Sequence, residues 1–222
     1  MKSAGKARNN GLYRHIRTSK EIIRNLLNDC KNNFMMPGAK RLTKTSFHTE
    51  VSTVTVLETA KKMIDYSHGN LHDINHFMKV YAYAKMIAEG EQLDPDTQKL
   101  VEMTALVHDI ACPLCRVKYG NTNGKNQEKE SAALIAEFFK DSDLPQDFTD
   151  RISFLVSHHH TIDQIDGIDY QIIIEADYLV NADESHFSGH NIKNMYDKVF
   201  KTETGKFLLC SMYQNCLENE TL

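Results

Sequence analysis

The stretch Asp73-Ile74-Asn75-His76-Phe77-Met78-Lys79-Val80-Tyr81-Ala82-Tyr83-Ala84-Lys85-Met86-Ile87-Ala88-Glu89 decides the fold class. Its apolar residues Ile74, Phe77, Val80, Tyr81, Ala84 and Ile87 recur at three- and four-residue spacing, the period of an amphipathic helix. On either side the same period continues. Helices are expected over Val54–Tyr66, Asp73–Glu89, Asp96–Ile110, Gln127–Lys140, Gln146–His160, Tyr170–Ala182, Asn191–Phe200 and Glu203–Leu217. Asp94-Pro95 starts the third of these. Pro113 should stop it, because the residue before a proline is pushed out of the α region. Cys112 to Asn126 is rich in Gly, Asn and Lys and reads as a loop. Asp169 and Thr202 are expected N-caps. Ile172–Ile174 is strand-like by composition, but the helical pattern runs through it. The body reads as all-α.

Upstream the character changes. Residues 1–48 hold 11 basic and two acidic residues, whereas the remainder holds 15 basic and 28 acidic. Thr18 and Glu21 form a capping box ahead of Ile22, Ile23, Leu26 and Leu27, and Met36-Pro37-Gly38 breaks the pattern. Residues 1–48 are therefore expected to be a basic, partly helical and flexible extension, and 49–222 a helical domain. A basic arm without aromatic interleaving is expected to dock on the acidic body rather than on nucleic acid.

The apolar share of 41% and charged share of 25% are ordinary for a globular chain. No run approaches 18 apolar residues, which argues against a membrane span. Five scattered cysteines (Cys30, Cys112, Cys115, Cys210, Cys216) without an export signal suggest free thiols and a cytoplasmic setting.

The chemistry lies in ionisable residues on apolar faces. His76 shares a face with Val80, Tyr83 and Ile87. His108 continues the Val101–Ala105 face, with Asp109 beside it. Asp177 follows Ile173 by four residues and Ile174 by three. Any one of these alone is more often a satisfied core residue. Together, two imidazoles and two carboxylates meeting one cation would offset all the burial costs at once. Such a mixed N/O set suits Mn, Fe, Co, Ni or Zn. One ion is expected and a second is left open. Asp109 is placed to hold a water on such an ion. Arg116, Lys118 and Lys125 offer charges for an anionic group, with Arg116 able to bind in bidentate fashion. The pair Cys112 and Cys115 raises a redox reading, without the βαβ pattern that would support it.

These residues resemble the HD-domain superfamily of metal-dependent phosphohydrolases from about Val56 to Glu184. The resemblance rests on Leu71-His72-Asp73-Ile74-Asn75-His76, Ala105-Leu106-Val107-His108-Asp109-Ile110 and Glu175-Ala176-Asp177-Tyr178-Leu179-Val180. It implies an HD-domain helical bundle, with His76, His108, Asp109 and Asp177 as metal ligands. Two-metal branches of that superfamily add histidines between the HD pair and the last aspartate. His159, the most inward of His158-His159-His160, fills one such place. The other falls on Gln127, followed by Glu128, which either acts as a carboxylate ligand or general base or is a solvated first-turn acid.

The resemblance implies hydrolysis of a phosphate ester or anhydride in a nucleotide or small phosphorylated metabolite. The alternative is a catalytically impaired, metal- or nucleotide-binding regulatory module. The expected partner is a small phosphorylated substrate, with neither membrane nor nucleic acid. A homo-oligomer is compatible with the sequence.

Overall fold

Thr55 opens the first helix through a full capping box: its side chain accepts from the Glu58 backbone, and Glu58 accepts from the Thr55 backbone. That helix begins the computed structural model, which describes residues 54–214. The expected extension over 1–48, its boundary, Cys30, Cys216 and the end of the last expected helix lie outside the described residues.

In chain order the elements are α1 (Val56–Tyr66), α2 (Leu71–Gly90), α3 (Pro95–Val107), α4 (Cys112–Tyr119), α5 (Gly124–Phe139), α6 (Gln146–Val156), α7 (Ile168–Glu184), α8 (Gly189–Lys198) and α9 (Glu203–Met212). No strand occurs among the described residues, so the all-α reading holds. Among those residues, no helix is long and apolar enough to cross a membrane.

Three expectations are overturned. The stretch after the His-Asp pair is not a loop up to Asn126, because Cys112–Tyr119 is helical. Pro113 sits in the first turn of α4, where its missing N–H costs nothing. Gly120, left-handed at φ 70°, ends that helix. Residues 108–111 turn between α3 and α4, so α3 stops at Val107 rather than Ile110. Asp169 is not the cap of α7 either. Gly167 holds that position, and the Asp169 carboxylate is taken by Arg151 at 2.7 and 2.8 Å. Thr202 does cap α9, accepting from Gly205 N at 2.9 Å.

Two helices run through the middle. On α3 every residue from Leu100 to Val107 is buried, and on α7 every residue from Asp169 to Asp177. A helix covered on all sides loses its amphipathic stripe, which is why Ile172–Ile174 looks strand-like in sequence. α2 packs along both α3 and α7. Phe77, Met103, Leu106 and Phe138 fill one core cluster, and Val80, Ile87, Val101 and Ile173 fill the other. The three helices that carry the ionisable groups thus pack against one another.

α9 is fastened to this centre by a buried acid. The Glu175 carboxylate accepts from Gln171 Nε2 at 2.7 Å, Lys201 N at 2.6 Å, Thr202 N at 3.1 Å and the Thr202 hydroxyl. Burial pushes its carboxyl up despite these donors. Gly205 is required here, since a Cβ would run into that carboxylate. Glu175→Ala would strand several buried donors, each worth about 1–3 kcal/mol when unsatisfied. The expected loss of stability is about 3 kcal/mol or more by urea denaturation. A loss under about 0.5 kcal/mol would show that the network carries no weight.

Candidate metal centre

α2, α3 and α7 bring their ionisable groups to one point. His76 Nε2 lies 3.2 Å from His108 Nε2, 3.3 Å from Asp177 Oδ1 and 3.6 Å from Asp109 Oδ2. His108 Nε2 is 3.4 Å from Asp177 Oδ1 and 3.8 Å from Asp109 Oδ2. The four residues named from sequence therefore converge. His159 joins them from the turn after α6, its Nε2 3.6 Å from Asp109 Oδ1.

The far side of each ring fixes its tautomer. His108 Nδ1 donates to Ala105 O at 2.8 Å and His159 Nδ1 to Val156 O at 2.7 Å. His76 Nδ1 meets Glu184 Oε2 at 2.9 Å. A ring nitrogen facing a carbonyl or carboxylate oxygen must carry the proton. All three neutral imidazoles then turn an Nε2 lone pair toward two carboxylates. In that neutral state no donor sits at the centre of this group. Like-signed lone pairs and charges at 3–4 Å repel strongly in a low dielectric, so the arrangement calls for a positive charge.

A proton or a divalent cation can supply it. With protons alone, burial opposes ionisation of His76, but its hydrogen bond to Asp177 and the nearby Asp109 charge pull it up to about 9. Burial likewise raises the Asp109 and Asp177 carboxyls, yet the surrounding histidines hold both below the usual carboxylate range. The donor set also fits a metal. His76, His108 and Asp109 have ligand atoms within 4.8 Å of one another, as do Asp109, His159 and His160. Asp109 is common to both groups. Among the four residues named from sequence its side chain is the most open, 24% exposed against 8% for His76, 0% for His108 and 11% for Asp177.

Glu184 and Tyr170 escaped the sequence reading, and His160 is passed over there in favour of His159. Glu184 orients His76 and is itself held by Lys79 at 3.0 Å. A carboxylate behind a ligating imidazole fixes the ring and raises its basicity. In sequence Glu184 is only one more acid at a helix end. His160 keeps an exposed edge, but its ring packs on His159 with centroids 3.9 Å apart. Desolvation, with His159 adding to it, holds His160 down at about 4. Tyr170, fully buried, donates its hydroxyl to His158 O and Thr161 O and so clamps the turn bearing these histidines.

The remaining named residues are placed as follows. Arg116, on α4 rather than a loop, makes a two-pronged pair with Asp73 at 2.5 and 2.6 Å, one turn before His76. Lys118 is bound to Glu130 at 2.7 Å. Lys125 is exposed in the first turn of α5. Glu128 accepts from Thr161 Oγ1 at 2.9 Å, next to His160. Cys112 and Cys115 are free and buried, and burial raises both thiols, which makes them poor nucleophiles.

A helical bundle with a histidine and aspartate cluster between its central helices defines a class, and the comparisons name it. The HD domain family model matches residues 73–182, and the chain belongs to the HD-domain superfamily. Among solved structures, it is similar to a crystal structure of a predicted HD superfamily hydrolase from an uncultured Thermotogales bacterium. That likeness has 20% identity and a TM-score of 0.51, covering 73% of this chain and 86% of the other. It supports the fold. A comparison with curated proteins finds no match.

Proposed function

We propose that this chain is a metal-dependent phosphohydrolase acting on a phosphate ester or anhydride in a nucleotide or small phosphorylated metabolite. The observation that carries the reading is the meeting of two imidazole Nε2 atoms and two carboxylates within 3.2–3.8 Å, with one open side. His76, His108, Asp109 and Asp177 would hold the first cation. Bound there, a divalent cation polarises a phosphoryl oxygen and makes water more acidic at neutral pH.

The protein's own groups supply the rest. Asp109 is the ligand nearest solvent and has a second oxygen turned toward His159, so it is proposed to orient the attacking water by hydrogen bonding. Glu128, beside Thr161 and His160, is proposed as the base that accepts the proton. Arg116, Lys118 and Lys125 are proposed to meet substrate phosphate. Arg116 is the most fixed of them, since Asp73 presents its guanidinium within a turn of His76. Fixing such a charge in advance removes reorganisation cost from the reaction.

The test is a panel of nucleotides and small phosphorylated compounds, with metal-stripped protein reloaded separately with Mn, Fe, Co, Ni and Zn. Release of phosphate or nucleotide is expected with at least one ion. Full metal loading without turnover on any compound would replace the enzyme reading by a binding module. His159→Ala is expected to keep the first ion and to reduce turnover by about 10–100-fold, the range for a perturbed metal environment. Unchanged turnover and metal content in that variant would remove His159 from the site.

A further inference from the structure

At the N-terminal end of α3, roughly 18 Å along that helix from His108, a cleft of about 520 Å³ opens between α3, the start of α6 and the start of α7. Leu100, Leu144 and Phe148 give it an apolar floor, and the exposed Asp96 and Asp147 stand at its edge. Neither of these two acids has an ion-pair partner among the described residues. Asp169 also lines the cleft, but its carboxylate is taken by Arg151. Against them stands Lys99, 5.8 Å over the Phe148 ring. The cleft is therefore apolar below and mainly acidic above.

The chain enters the bundle beside it. Val54 N donates to Asp143 Oδ1 at 2.9 Å, and Val54 and Val56 pack on the same core cluster as Leu144 and Phe148. Whatever precedes Val54 thus starts next to the cleft wall. Residues 1–48, upstream of that point, carry 11 basic and two acidic residues. Within them Lys20, Arg24, Leu27 and Lys31 recur at helical spacing, with Ile23 alongside. An apolar pair flanked by cations is the complement of an apolar floor edged by acids. Leu27 precedes Val54 by 27 positions. A coil of that length averages about 30 Å end to end, so reach is no obstacle.

We infer that segment 20–31 of the same chain docks in this cleft, seating Ile23 and Leu27 on the apolar floor and setting its cations against Asp96 and Asp147. A tether that ends beside the site holds the segment at an effective concentration in the millimolar range, so a weak contact suffices. The contact stands apart from the metal reading, because it lies at the opposite end of α3 from His108.

The experiment is hydrogen exchange followed by mass spectrometry on full-length protein, at about 1 and about 100 μM. Amides of residues 22–31 are expected to exchange at least about tenfold more slowly in wild type than in Ile23→Asp/Leu27→Asp. In that variant, amides of residues 96–100 and 144–148 should exchange faster than in wild type. Both substitutions lie outside the described helices, so the bundle keeps its own core. Arg24→Asp and Asp147→Arg should each release segment 22–31, and the two together should restore its protection. Equal exchange in wild type and the double-aspartate variant overturns the inference. A charge swap that restores nothing overturns it too, because the segment then rests elsewhere. Protection that vanishes at the lower concentration gives the cleft to a second copy, and the assignment to the same chain falls.

Discussion

Asp109→Ala is expected to abolish turnover, by at least about 10³-fold, the scale set by losing several kcal/mol of charge stabilisation. Two consequences act together. Asp109 presents one oxygen to His76 and His108 and the other to His159, so its removal opens both ligand groups at once. It also removes a carboxylate that offsets the burial of three imidazoles. Metal content by elemental analysis should fall with activity, and the fold should lose the stabilisation that ion binding provides. Asp109→Asn, nearly the same shape, separates the two effects: it should retain the fold better than alanine while binding metal poorly. Full metal content in the alanine variant, with the stoichiometry of wild type, would remove Asp109 from the centre.

Stripping the metal should make stability depend on pH in a defined direction. In the metal-free protein His76 is raised to about 9 from an ordinary 6.5, because Asp177, Asp109 and Glu184 favour its proton. A group raised in the folded state contributes its stability fully below the unfolded value of 6.5. That contribution is lost as pH rises through 9. At about 1.4 kcal/mol per unit, this residue alone accounts for roughly 2–4 kcal/mol between those limits. The metal-loaded form should behave oppositely. The cation needs unprotonated imidazoles, so its affinity falls as pH falls. The gap in melting temperature between loaded and stripped protein should widen from pH 6.5 to 9. A constant gap across that window would show that a cation does not replace the proton on His76.

Much of this was legible in the chain because helices write a periodic signature. The faces carrying His76, His108 and Asp177 were readable from their spacing to Val80, Ala105 and Ile173. The structure places those side chains within 3.2–3.4 Å of one another. Where the reading failed, local chemistry had two readings. Pro113 stops one helix and starts another, and composition does not tell which. Asp169 has the chemistry of a cap, but Arg151 lies 18 residues away in sequence and offers it a two-pronged charged pair instead.

Glu184 marks the boundary between the two kinds of information. Taken alone, it is a helix-end acid. It meets His76 across 108 positions of sequence. The sequence by itself determined that helices form, which faces they bury and that four ionisable groups lie on those faces, since each depends on neighbours a turn or two away. Only the tertiary structure decided which groups orient the imidazoles and which charges are already paired. Those are contacts between elements, and their partners are set by packing rather than by distance along the chain.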